Sequence, residues 1–284
     1  MNLYYELLGH PVFTVEDVAQ YYDNINSVRS ALRRLVDQGL VVRVRNNLYT
    51  CISGESGSPV ANRYQVACAV TNTACISHHT AIEYYGLSDQ IYYEVYVSSE
   101  TKFREFEFDG YVYRYIPVRF RNGIENVGYS GGVRVTDLER TLLDSISDMD
   151  HISGIEEIIS FIRAIQRLDE KRLRQYLIAY GRQFLFQKTG YLLEMYGSME
   201  IDDGFYDFCR EHIGKSKRYL SKDIRHGTYN SKWKLVVPDT IELSKNGGME
   251  AFAAKQYMPE LLFDDEDVIE RVRKHPMALW KCRR

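Results

Sequence analysis

The chain has 284 residues, 45% of them hydrophobic and 26% charged, an ordinary folded composition of about two domains' length. No apolar run approaches the roughly 18 residues that a membrane span needs, and the opening MNLYYELLGHPVF lacks the basic-then-apolar order of a secretory leader. Five scattered cysteines without a CxxC pair argue against a disulfide framework or a zinc ribbon, so a cytoplasmic protein with reduced thiols is expected.

The net charge of −3 is unevenly spread: residues 26–47 hold five arginines against Asp37, residues 215–234 hold seven basic groups against Asp223, and residues 53–150 hold 8 basic groups against 14 acidic ones. Any contact with nucleic acid would therefore sit on the two basic islands.

The first predicted element is a short amphipathic helix carrying Leu3, Leu7 and Leu8, ending before Pro11. Thr14 with Asp17 makes a capping box that opens a helix through about Tyr22. After a turn over residues 23–26, a helix capped by Asn26 or Ser27 runs to Gly39, with Val28, Ala31, Leu32, Leu35 and Val36 on one face. VVRVR and LYTCI then flank Asn46-Asn47, a pair that tolerates the positive φ of a two-residue hairpin turn. Helix, helix, helix and hairpin in this order read as a winged helix-turn-helix over residues 1–52. Such a domain reads base edges with the start of its third helix, here Asn26, Ser27, Arg29, Ser30 and Arg33. Arg34, Arg43, Arg45, Asn46 and Asn47 are then placed for phosphates.

Residues 53–59, SGESGSP, read as a linker to a second domain over residues 60–240. Helices are expected from Asn62 to Val70 and from Ser77 to Tyr85, and a strand from Ile91 to Ser98. Asp109-Gly110 marks a hairpin pairing Phe108 with Tyr111, Phe106 with Tyr113 and Arg104 with Tyr115, with Glu105 meeting Arg114 on the other face. A short strand at Val133–Thr136 leads to a helix from Asp137 to Ser147. Helical spacing then dominates through Ile158, Ile162, Leu173, Leu177, Leu192 and Leu193, followed by a helix from Phe205 to Ile213. Lys232–Val237 alternates like a strand, and residues 241–284 form a tail with one helix from Glu266 to Lys274. The class is mixed α+β.

The second island offers Lys215, Lys217, Arg218, Lys222, Arg225, Lys232 and Lys234 together with Tyr219, Tyr229 and Trp233, a mixture suited either to phosphates and stacked bases or to a solvated loop ahead of a core tryptophan. No metal is expected, because Cys68, Cys75, His78 and His79 have no spacing that closes a tetrahedron. No cofactor or catalysis is expected either: there is no phosphate-cradling glycine loop and no nucleophile elbow, and Asp137, Glu139, Asp144 and Glu194 lack the spacing of a nuclease set.

Four stretches in order, Asn47-Leu-Tyr49, Ile76-Ser-His-His-Thr-Ala-Ile-Glu-Tyr-Tyr-Gly-Leu87, Val135-Thr-Asp-Leu-Glu-Arg-Thr-Leu-Leu-Asp144 and Thr189-Gly-Tyr-Leu-Leu-Glu194, resemble the AbiEi antitoxin family of bacterial type IV toxin–antitoxin systems. The resemblance covers roughly residues 10–240. It implies an N-terminal domain that represses its own operon at inverted repeats. It also implies a C-terminal domain that counters a nucleotidyltransferase-like toxin without a stable complex, in phage defence by abortive infection. It nominates Asp137, Glu139, Arg140, Thr141 and Asp144 for the antitoxin surface, and charge adds the second island, with RNA as a further expected contact. The alternative is a winged-helix regulator whose second domain senses a ligand or processes nucleic acid.

Overall fold

The computed structural model of the chain describes residues 3–239, apart from positions 89, 151, 153, 223 and 225. The expected tail helix from Glu266 to Lys274 and Arg225 of the second island lie outside the described residues.

The first 52 residues form α1 (Leu3–Leu7), α2 (Val15–Ala19), α3 (Ile25–Asp37) and a hairpin of β1 (Val41–Arg45) with β2 (Leu48–Cys51). The capping box of Thr14 and Asp17 is present. Helix α2 stops at Ala19, short of Tyr22, and α3 begins at Ile25, because Asn24 is its cap: the Asn24 side chain accepts the Ser27 N–H at 2.9 Å. Asn26 and Ser27 therefore lie inside the first turn. Leu7, Phe13, Val18, Val28, Leu32, Val41 and Cys51 close one core between the helices and the hairpin. Phe13 adds a bridge to Tyr49, with N–H···O bonds of 2.9 Å in both directions.

Residues 53–59 leave and return. Ile52 bridges Pro59, and the Gly57 N–H reaches the Ser53 carbonyl at 2.8 Å, so the segment read as a linker is a closed loop. The buried Thr50 hydroxyl donates to the Pro11 carbonyl and accepts the Ala61 N–H, tying the chain on both sides of the loop.

Beyond it come α4 (Arg63–Ala69), β3 (Cys75–Ile76), α5 (His78–Tyr84), β4 (Glu94–Ser99), β5 (Phe106–Phe108), β6 (Tyr111–Pro117), β7 (Ile124–Asn126) and β8 (Arg134–Thr136). Six strands make one mixed sheet in the order β5-β6-β4-β3-β8-β7, with β4–β6 and β3–β8 parallel. The β5–β6 register is the expected one, Phe108 opposite Tyr111 and Phe106 opposite Tyr113. Asp109 and Gly110 both take positive φ, 51° and 77°, as the two-residue turn requires. Arg104 falls before β5, and Phe103 instead packs on Tyr115, with ring centroids 5.4 Å apart.

The third part is helical: α6 (Leu138–Ser147), α7 (Gly154–Ala164), α8 (Glu170–Tyr180), α9 (Gln183–Tyr196) and α10 (Asp203–Glu211). Helix α6 packs against α5, α7, α8 and α9, which leaves it almost no solvent face. A small second sheet follows, of β9 (Arg218–Tyr219), β10 (Gly227–Asn230) and β11 (Leu235–Pro238) in the order β10-β11-β9. Strand β11 starts at Leu235, later than the expected Lys232, because the Asn230 side chain accepts the Trp233 N–H and holds residues 230–234 in a turn. Among the described residues no helix is long and apolar enough to cross a membrane.

Candidate nucleic-acid interface

Helix α3 is amphipathic by sequence and by burial. Val28, Ala31 and Leu32 face the core while Asn26, Arg29, Ser30, Arg33 and Arg34 are exposed and Ser27 is half-buried. Folding adds a convergence that spacing alone does not give. Arg29 and Arg33 from α3 and Arg43 from β1 line one shallow groove with Val15, Leu32, Val36 and Tyr49. Arg43 is held in place by its own strand end, Nε donating to the Arg45 carbonyl at 3.1 Å and Nη2 to Asn46 Oδ1 at 2.8 Å. Among the described residues none of these three arginines forms an ion pair with a carboxylate. Glu16 feels Arg29 through space but makes no ion pair with it, so positive charge dominates the groove, a condition for attracting phosphate. Tyr49 and Val15 belong to this groove as well; no sequence signal singles them out.

Two hairpin residues expected at phosphates are engaged elsewhere. Asn47 takes the positive φ of the turn, 58°, and faces α2: its Oδ1 accepts the Val15 N–H at 3.1 Å and its Nδ2 donates to Glu16 at 2.6 Å. That amide holds the Glu16 carboxyl below its ordinary range. Arg45 turns inward. Its guanidinium lies over the rings of Phe103 and Phe106 at 5.6 and 5.2 Å, burial lowers its pKa, and Nη1 is buried without a partner among the described residues. Arg34 stands apart from the groove on the last turn of α3.

The polar residues nominated on α6 form no surface; all five are buried. Asp137 caps the helix, accepting the Arg140 N–H at 2.8 Å, and takes the Tyr176 hydroxyl at 2.7 Å; burial raises its pKa. Burial raises Glu139 too, and its carboxylate accepts the Asp169 N–H at the start of α8 at 2.6 Å. The partner of Arg140 is Asp144 and not Glu139: Nε donates to both Asp144 oxygens at 3.0 Å, Nη1 to the carbonyls of Phe120 and Asn122 at 2.9 Å, and the Phe120 ring lies 3.7 Å from the guanidinium carbon. Thr141 donates to the Thr136 carbonyl. These residues orient α6 and the start of α8, and each spends its polar atoms inside the protein.

The second island divides. Lys215, Lys217 and Arg218 are exposed, and Lys222 is exposed with its N–H on Asp150. Lys232 pairs with Glu194, and Lys234 donates to the Gly214 carbonyl at 2.9 Å. Trp233 is fully buried, its Nε1–H on Glu194 at 2.7 Å. Gly190 makes room for it: a Cβ there would lie 2.2 Å from the indole ring. The stretch from Thr189 to Glu194 is therefore a tryptophan seat, with Gly190 under the ring and Glu194 one turn on at its N–H.

No family model and no curated protein matches the chain. Among solved structures it is similar to the crystal structure of the Rv2827c protein from Mycobacterium tuberculosis, with a TM-score of 0.60 over 83% of this chain and 89% of that one, at 14% sequence identity. At that identity the likeness is one of fold, a mixed α+β architecture.

Proposed function

We propose that the chain is a DNA-binding transcriptional regulator whose first 52 residues act as a winged helix-turn-helix, with α3 in the major groove and the β1–β2 hairpin as the wing. The observation that carries the reading is the convergence of Arg29, Arg33 and Arg43 in one groove without carboxylate partners. Arg29 and Arg33 project from the exposed face of α3, where arginine can meet the O6 and N7 of guanine, and Asn26 in the first turn can meet adenine. Arg43 and Arg34 take phosphates. With Arg45 and Asn47 engaged internally, about 2 phosphates are neutralised per copy, and log K falls with log salt at a slope of roughly −2. The test is titration of the full chain against its own promoter. Arg29→Ala or Arg33→Ala loses about 1 to 3 kcal/mol on that sequence and much less on random duplex, while Arg43→Ala weakens both alike. Binding that is independent of salt, or unchanged in all three variants, ends the reading.

We propose further, from the resemblance in the four motifs, that the regulator is the antitoxin of a type IV system and represses its own operon, with a nucleotidyltransferase-like toxin as functional partner. Since Asp137, Glu139, Arg140, Thr141 and Asp144 are internal, the reading assigns toxin rescue to the exposed part of the second island. Its test is a Lys215, Lys217, Arg218 triple-alanine chain in toxin-expressing cells. Lost rescue with an unchanged melt supports the assignment, and full rescue removes it.

A further inference from the structure

The small sheet has two unlike faces. Leu220 and Leu235 point into the helical core and are fully buried, as is Trp233 just ahead of β11. On the other face Tyr219, Val236 and Tyr229 stand side by side, because Val236 pairs with Tyr219 on β9 and with Tyr229 on β10. The two outer rings are 53% and 48% exposed, while Val236 between them is buried. Two strand spacings put the tyrosines roughly 10 Å apart. The Lys217 ammonium lies 5.7 Å from the centroid of each ring, so one cation spans both. Lys215, earlier on the same run, is exposed as well, whereas Arg218 pairs with the core-facing Leu235 and so alternates to the other side of β9.

We infer that this face is a stacking platform for single-stranded RNA, with bases on Tyr219 and Tyr229 and backbone phosphates on Lys215 and Lys217. Three features select that occupant. Aromatic rings on neighbouring strands of an open sheet face stack bases that are already unpaired, whereas a duplex keeps its base faces closed. In the cell such bases belong chiefly to RNA loops and ends. The exposed Lys215 and Lys217 are complementary to phosphate, and a lysine at the centre of the patch runs against the depletion of lysine in protein–protein interface cores. The platform uses none of the α3 groove, so it stands or falls apart from the DNA reading, and it supplies a ligand class for the proposed rescue surface.

The experiment uses the full chain and a labelled oligouridylate of about 12 nucleotides, within the site sizes of single-strand binders. Saturable binding is expected, with a salt slope of roughly −1.4 for two phosphates on a single strand. Tyr219→Ala and Tyr229→Ala should each weaken it by about fivefold or more, Tyr219→Phe should retain it, and Lys217→Met should flatten the salt slope. Each variant should melt as the parent does, since the side chains are half exposed. An Arg29→Ala, Arg33→Ala double variant should bind the oligouridylate normally while losing promoter duplex. The inference is overturned if the parent chain does not bind the oligouridylate, or if the double-tyrosine variant binds it as well as the parent. Tighter binding of the deoxy oligomer, or loss of RNA binding together with duplex binding in the α3 variant, overturns it as well.

Discussion

On α3, Arg29, Arg33 and Arg34 stand in solvent opposite a face of Val28, Ala31 and Leu32; on α6, Arg140 is 1% exposed and its guanidinium touches a carboxylate, two carbonyls and a phenyl ring. Both helices read as amphipathic in sequence, and both begin with a side-chain cap, Asn24 and Asp137. What separates them is the number of neighbours. Helix α3 has α2 on one side and the hairpin on the other, which leaves half of its circumference to water. Helix α6 lies among α5, α7, α8 and α9, so its charged residues Glu139, Arg140 and Asp144 are partnered within the protein, while the Ser145 hydroxyl is buried without a hydrogen-bond partner among the described residues. A charged side chain on a helix therefore identifies a surface only after its neighbours are known.

The comparison breaks most easily at Arg140. Arg140→Ala leaves Asp144 buried beside the Phe120 and Asn122 carbonyls, and the expected loss is about 3 to 5 kcal/mol of unfolding free energy in denaturant titration. Arg29→Ala on α3 should stay within about 0.5 kcal/mol in the same assay. Equal losses for the two would mean that the contrast in burial carries no energetic weight.

Glu157 on α7 sharpens the contrast, because it is a buried carboxyl that no cation offsets. Both carboxylate oxygens are buried with no hydrogen-bond partner among the described residues. Burial pushes its carboxyl up to about 8, with Tyr92 opposing and the Glu83 carboxylate adding. The folded protein thus holds it protonated near neutrality while the unfolded chain ionises it from about 4.5 upward. The sign follows: its contribution is undiminished below the unfolded pKa and is lost as pH rises to the folded one. Glu157→Gln should match the parent near pH 4.5, gain on it by about 1.4 kcal/mol per pH unit, and level off above pH 8. Parallel melting profiles over that range would show that the carboxyl is solvated.

A smaller effect separates residues within the N-terminal module. Arg43→Ala should leave stability unchanged and weaken duplex binding, whereas Arg45→Ala should cost about 1 kcal/mol of stability through its lost ring contacts and leave the affinity nearly intact. If Arg45→Ala instead weakens the duplex as Arg43→Ala does, the guanidinium leaves Phe103 and Phe106 when DNA arrives.

Local chemistry made much of this legible from residue order. The Thr14 and Asp17 capping box and the Asp109-Gly110 turn are contacts between residues at most three apart, and each forms where residue order places it. The start of α3 was harder, since Asp23, Asn24, Asn26 and Ser27 are all competent caps and only the fold selects Asn24. Strands β3 and β7, two and three residues long, carry no periodicity, and β3 is defined by parallel pairing with Val135 some sixty residues on. The fates of Arg45, Asn47 and Arg140 were illegible for the same reason: each is decided by a partner in another element. Likewise, the four family-like stretches contain positions whose work is internal, such as the Asn47 amide on α2 and the glycine under Trp233.

The inward turn of Arg45 bears on how such a chain can be reassembled. Val44 and Leu48 of the hairpin share a core with Ala61, Val66, Val97 and Tyr113, and Arg45 is wedged over two rings of the same body. An N-terminal module built this way is a poor cassette. Grafted onto another body it would bring along an apolar flank and a displaced cation, and its hairpin would lose the surface that sets its angle. On the proposed DNA-binding reading, target sequence is changed by point substitutions along α3, while exchange of the whole module would require a recipient that also supplies the rings of Phe103 and Phe106.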